Sequence, residues 1–268
     1  MTASERMWSK MKLALFGAAV SLALAALPAT AQETPASGRN VIIGVGLQSV
    51  PKYPGAGSAH IAVLPLVDLW RVGEPMPVET PDESFGCALV GQRGRGIAIG
   101  PVIAFAPSRS AGDAPGLASI GTAVEVGMFA EAWPVKSLRL RTELRQGIGG
   151  HRALNGDLAT DLVWRQGDEG AMLTIGPRVR WGSGKYNRAY FGIPLPGSPG
   201  LAAYTPGSGI IAVGGLAGLR FPLTRSLGLY GYLRYDRLTE PAAGSPIVQN
   251  GSADQFSGGL ALTYRFTL

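Results

Sequence analysis

The end of the chain sets the narrowest limits on its fold. In residues 258–268, Leu260, Leu262, Tyr264, Phe266 and Leu268 share one face of an extended segment, because successive side chains of a strand point to opposite sides. Terminal segments of soluble domains are commonly frayed or polar. Five large apolar residues on one face of a closing strand suit a strand whose outer side lies against lipid. The run 227–238 repeats the pattern, with Leu229, Gly231, Leu233 and Tyr235 alternating with Tyr230, Tyr232, Arg234 and Asp236.

The same alternation, bounded by Gly, Pro, Asn, Asp or Ser, recurs along the chain. It predicts about twelve strands, over 39–49, 58–71, 83–91, 94–106, 119–133, 137–148, 155–166, 171–183, 186–193, 208–222, 226–238 and 256–268. Most have the ~9–11 residues that a tilted transmembrane strand needs. The expected fold is all-β, a transmembrane antiparallel β-barrel of about 12 strands. The alternative is 10, reached if the short run 186–193 is a loop and one more strand is lost. An even count puts both ends on the periplasmic side and the polar links 194–207 and 239–255 outside. The link 72–82 then faces the periplasm. Its Pro75, Pro77 and Pro81 stiffen it and Glu74, Glu79, Asp82 and nearby Glu83 make it acidic, so it reads as a solvated connector or a partner surface. Pro65, Pro101 and Pro177 fall inside expected strands, where each predicts a bulge or a register shift.

Charge alternates with apolar residues in 120–165. Val124, Val126 and Met128 alternate with Glu125 and Glu131's face; Leu138, Leu140 and Leu144 alternate with Arg139, Arg141, Glu143 and Arg145; Leu158, Leu162 and Trp164 oppose Asp157, Asp161 and Arg165. A symmetric turn at 134–136 would set Glu131 opposite Arg139 and Glu125 opposite Arg145. The next connection would bring Arg145 to Asp157 and Arg141 to Asp161. An Arg facing lipid at the bilayer midplane costs about 2–4 kcal/mol, so these charges belong inside the ring. Paired, they fill a narrow lumen and fix strand order; as a constriction they would select ions, although pairing cancels much of the field that selection needs. Trp70, Trp133, Trp164, Trp181, Tyr186, Tyr190, Tyr230 and Tyr264 lie near strand ends, where an interfacial girdle would put them.

Arg6, Lys10 and Lys12 precede an apolar run over 13–27, and Ala29-Thr30-Ala31 follows with small residues. This reads as a signal peptide over 1–31, cut between Ala31 and Gln32, with the barrel over 32–268. No other stretch is long and apolar enough for a membrane-spanning helix. Charged residues are only 16% of the chain and the 39 glycines are spread along it, as thin alternating strands require. The formal charge is +6; without Arg6, Lys10, Lys12 and Glu5 it is +4, and Arg is interleaved with acids, so no nucleic acid partner is expected. The single Cys87 forms no internal disulfide.

Catalytic and cofactor signatures are weak. Ser49-x-x-Lys52 has Pro51 where a helix would be needed, and Gly44-Val45-Gly46 lacks a third glycine and a following helix. His60 and His151, expected at opposite ends of the barrel, do not make a metal site. No enzyme activity, cofactor or metal is expected.

Several spaced motifs carry a family resemblance. They are Tyr235-Asp236-Arg237-Leu238, Ser245-Pro246-Ile247-Val248, Gln255 and the closing run from Gly258 to Phe266, with Pro51-Lys52-Tyr53-Pro54-Gly55, Leu117-Ala118-Ser119-Ile120-Gly121, Glu125, Gly127 and Tyr190-Phe191-Gly192-Ile193 upstream. In this order they resemble the MltA-interacting protein (MipA/OmpV) family of outer-membrane proteins, over nearly all of the exported chain. The tail departs from the usual aromatic ending, because Thr267 and Leu268 follow Phe266. The resemblance implies location in the cell outer membrane of a Gram-negative bacterium, in contact with outer-membrane lipid. It also implies a scaffold role in peptidoglycan assembly, linking a murein lytic transglycosylase and a penicillin-binding synthase. The polar lumen leaves a narrow pore for small solutes as the alternative.

Overall fold

A computed structural model describes residues 38–268 apart from 79, 107, 111–118, 168–169 and 199. The expected leader over 1–31 and its cut between Ala31 and Gln32 lie outside the described residues. In chain order the elements are β1 (Arg39–Pro51), β2 (Ala59–Arg71), β3 (Phe85–Gly86), β4 (Val90–Gln92), β5 (Arg95–Ala106), β6 (Ala123–Val135), β7 (Leu138–Gly149), β8 (Leu154–Arg165), β9 (Met172–Gly182), α1 (Gly184–Phe191), β10 (Gly209–Pro222), β11 (Leu227–Leu238), α2 (Pro246–Gln249) and β12 (Asp254–Thr267).

Every ladder is antiparallel, in the order β2-β1-β12-β11-β10-β9-β8-β7-β6-β5, with the short β3 and β4 both paired to β5. The chain's two end strands meet, Asn40 opposite Thr267 through Ser49 opposite Gly258. Gly46 has no room for a side chain there, since a Cβ would fall 1.9 Å from the Leu260 carbonyl oxygen. The result is a nearly closed antiparallel β-barrel. Its one interruption among the described residues lies between β2 and the β3–β5 group, where no ladder forms and Arg93 Nη1 reaches Asp68 Oδ1 at 3.5 Å.

The faces are inverted relative to a soluble protein. Along β7, Leu140, Leu144 and Ile148 are exposed while Arg139, Arg141, Glu143 and Arg145 are buried. Exposed Leu229 and Leu233 alternate with buried Tyr230 and Tyr232 on β11, and β12 exposes Leu260, Leu262 and Tyr264. Only a solvent that prefers leucine to arginine makes this arrangement stable, and the bilayer is that solvent.

The long connections gather at one end. β6–β7 and β10–β11 are joined by tight turns, whereas at the opposite end 183–208 and 239–253 are long and carry both helices. Short turns mark the periplasmic end.

The sheet has twelve strands, the number expected, but one expected strand is replaced by a helix and another is broken into two short pieces. Residues 186–193 lie mainly in α1, started by Ser183, whose side chain accepts from Tyr186 N. The run 83–91 is split into β3 and β4, because Gly86 stands opposite Val102 and Val90 opposite Ile99 with Pro101 between, a residue with no N–H for the ladder. The two miscounts cancel in parity. The strand directions expected from β10 onward are found, but β5 to β9 run opposite to expectation. His60 and His151 therefore sit at the same, extracellular end rather than at opposite ends, His60 exposed on β2 and His151 buried in the β7–β8 connection.

None of the three strand prolines shifts register. Pro65 faces Val45 in β2, whose other edge is free, and Pro177 faces Gly215 in an unshifted β9–β10 ladder while the β8 ladder lapses beside it. The irregularities fall at Gly91/Gln92, Ala132/Val135 and Ile210/Ala212.

Candidate functional site: a filled lumen

The link after β2 is the main departure from expectation. Residues 72–78 and 80–84 do not hang in the periplasm. Chain direction takes them from the periplasmic end of β2 to β3, which pairs with β5 at Val102 and Ile103, more than halfway along that strand. Met76, Pro77, Val78 and Thr80 are buried on the way, with Met76 and Val78 packed beside Ile42, Trp70 and Trp133. The stiff acidic segment is an inward plug.

Its tip is clasped by arginines from three strands. Asp82 Oδ2 accepts from Arg178 Nε on β9 at 2.8 Å and lies 2.9 Å from Arg234 Nη1 on β11. Glu83 accepts from Arg139 Nη1 and Nη2 on β7 at 2.6 and 2.8 Å, and from Thr80 Oγ1 at 2.8 Å. Arg141 Nε is 3.3 Å from Glu83 Oε2. Ser84 Oγ donates to Glu143 at 2.6 Å.

The wall residues continue the network. Arg139, wholly buried, also donates to Glu131 at 3.1 Å and to Asp161 at 3.1 Å. Arg141 donates to Glu143 at 2.7 Å and lies 4.2 Å from the Phe129 ring centroid. Arg145 donates to Glu125 at 2.9 Å and to Glu143, Asn155 and Asp157. Asp161 also meets Arg178 at 2.8 Å. Arg165 donates to the Met76 carbonyl and lies over Trp133, so it meets the plug.

The register differs by two residues from the symmetric one. A bulge between Ala132 and Val135 sets Glu131 opposite Arg141 and Glu125 opposite Gly147. On the other side Arg139 stands opposite Asp161 and Arg145 opposite Asn155. Long guanidinium arms span the difference, so Arg139 still reaches Glu131 diagonally, whereas Asp161 pairs with Arg139 and Arg178. Glu83, Arg178 and Arg180, whose Nε lies 3.4 Å from Asp157 Oδ1, are partners of this network that strand alternation in 120–165 does not reveal.

A family comparison agrees with this architecture. The family model for MltA-interacting protein MipA matches residues 43–266. The chain belongs to that family. No curated protein matches it. Among solved structures it is similar to the N-terminal β-barrel domain of Pseudomonas aeruginosa OprF (12% identity, 64% of this chain and 98% of that chain, TM-score 0.29), to a bacterial polysaccharide outer membrane secretin (9%, 87% and 100%, 0.39) and to the outer membrane protein OprG from Pseudomonas aeruginosa (10%, 85% and 96%, 0.27). Likenesses of that size carry no argument about function. This MipA-family chain is an outer-membrane β-barrel protein.

The extracellular end of the MipA-family barrel is covered by its long loops. Tyr190 and Phe191 of α1 pack with Ile120, Ala242 and Val248 and with Ile211 and Leu238 at the strand ends, so three connections share one apolar cluster. Arg109 Nη1 donates to the Tyr190 carbonyl at 2.8 Å, and Ser245 Oγ to the Phe191 carbonyl at 2.6 Å. Beneath the helix, His151 Nε2 meets Glu125 at 2.9 Å while its Nδ1 accepts from Ala153 N, and its ring stands 5.0 Å from that of Tyr186. Burial pushes the Tyr190 phenol up to about 12 and that of Tyr186 up as well, so both are neutral hydroxyls.

The girdle is smaller than expected. Trp70, Trp133 and Tyr230 are buried, Tyr186 and Tyr190 belong to the cap, and Trp164 and Tyr264 stand exposed on the outer face.

Proposed function

We propose that this barrel is a non-enzymatic outer-membrane scaffold, with 1–31 removed on export and 32–268 forming the mature protein. It would hold a murein lytic transglycosylase and a penicillin-binding synthase together at its periplasmic rim. One observation carries this reading over a pore for small solutes: the lumen is plugged from the periplasmic side by residues 76–78 and 80–84, with Asp82 and Glu83 clasped by arginines, and is covered from the other side by α1 and its neighbours. The matched family is described as MltA-interacting, which names one partner class. Because the plug is buried, docking falls to the periplasmic turns and strand ends.

Two measurements test the proposal together. Immobilised, detergent-purified barrel is expected to retain a purified lytic transglycosylase, and the same protein in a planar bilayer is expected to show no conductance steps. Steps without retention would reverse the choice.

A further inference from the structure

A cavity of about 350 Å³ opens inside the periplasmic mouth. It is bounded by the start of the plug at Met76, the β10–β11 turn, and the last residues of β12. Its lining combines three guanidinium groups, Arg220, Arg225 and Arg265, with the hydroxyl-bearing Thr224, Ser226 and Thr263, over apolar Ile42, Leu223 and Leu227. We propose that this cavity binds the terminal carboxylate of a short peptide. The lining and its place at the periplasmic mouth carry the assignment, whichever proteins the barrel recruits.

The turn is built to hold the site open. Thr224 Oγ1 accepts from Ser226 N at 3.2 Å and from Leu227 N at 2.9 Å. With both lone pairs used, that hydroxyl has only its proton to offer a ligand, and it is a donor. Arg265 Nη2 donates to the Arg225 carbonyl at 3.0 Å and Arg265 N to the Ser226 carbonyl at 2.7 Å, so β12 fixes the turn beside the cavity. Arg220 is buried, spends Nη1 on Met76 Sδ at 3.5 Å and lies over the Tyr230 ring. Arg225 is exposed at the rim.

Planar guanidinium forks pair with carboxylates through parallel hydrogen bonds. The apolar lining suits small side chains next to that carboxylate. The volume stands at the low end of the ~300–1,000 Å³ of small-ligand clefts, so it admits a chain end and no folded surface. Two sources present such an end in the periplasm: the C-terminus of a protein and the peptide of the cell wall.

Calorimetric titration of the detergent-solubilised full chain distinguishes them. The probes are acetyl-L-alanyl-L-alanine, acetyl-D-alanyl-D-alanine, the amide of each, and inorganic phosphate. At least one free acid is expected to bind, with its amide at least tenfold weaker. Arg225→Glu is expected to weaken binding at least tenfold and Arg225→Ala by a smaller factor, with heat-shifted gel migration unchanged as the check on folding. Preference for the L acid indicates a protein terminus, and preference for the D acid a cell-wall peptide. Equal binding of acid and amide, phosphate binding as tight as either acid, no binding of any probe, or an indifferent, folded Arg225→Glu would each overturn the assignment. Transglycosylase retention is measured separately, so this site and the scaffold role can fail independently.

Discussion

The plug and the cap close the same barrel by opposite means. The plug tip is held by charge: Asp82 and Glu83 meet Arg139, Arg141, Arg178 and Arg234, all nearly inaccessible. The cap is held by area: Tyr190, Phe191, Ile211, Leu238 and Val248 pack without a charge among them. Area is non-directional and tolerates similar shapes, whereas a buried ion pair is severe when one partner is lost, because the other is left unpaired in a poor solvent. The plug should therefore behave as a latch that fails wholly or not at all, and the cap as a surface that loosens by degrees.

Reversing the plug's charges gives the largest effect. Asp82→Lys with Glu83→Lys sets two cations against four, so the segment should leave the lumen and conductance steps should appear in a planar bilayer where the parent shows none. Arg139→Ala comes next. It strips Glu83, Glu131 and Asp161 of a shared cation and should cost about 3–5 kcal/mol, read as a lower denaturant midpoint for loss of the heat-shifted gel band. In the cap, Phe191→Ala should cost about 3 kcal/mol, with faster amide exchange in 183–208 and 239–253 and little change in the strands. The smallest effect belongs to the exposed Arg237–Asp254 pair, 2.6 Å apart at the extracellular lip, where Arg237→Ala should leave the midpoint unchanged within the scatter of repeat measurements. A large effect there, or a graded response in the plug, would undo the contrast.

Much of this was legible in sequence, for reasons that differ by element. The alternation in β6, β7, β8, β11 and β12 reads directly because one face meets lipid, which enforces a period of two. α1 passes for a strand in an eight-residue window rich in aromatics. Tyr186, Asn187, Tyr190 and Phe191 nevertheless follow helical spacing behind the Ser183 cap, a signal that was there to be used. The plug was not legible: prolines and acids describe a stiff polar link equally well inside or outside the ring, and its partners lie on β7, β9 and β11, remote in sequence. Register eluded a symmetric turn because the extra residues at Trp133 and Pro134 form a bulge.

The incomplete ladder beside β2 also decides how the ring would fail under tension. Where the chain's own ends meet, ten consecutive residue pairs knit β1 to β12. Between β2 and β5 there are two stub strands, both attached to β5, and a reach from Arg93 to Asp68 at 3.5 Å, with no ladder to β2 among the described residues. Lateral stress in the bilayer would part the hoop at that joint, and the plug enters the lumen next to it.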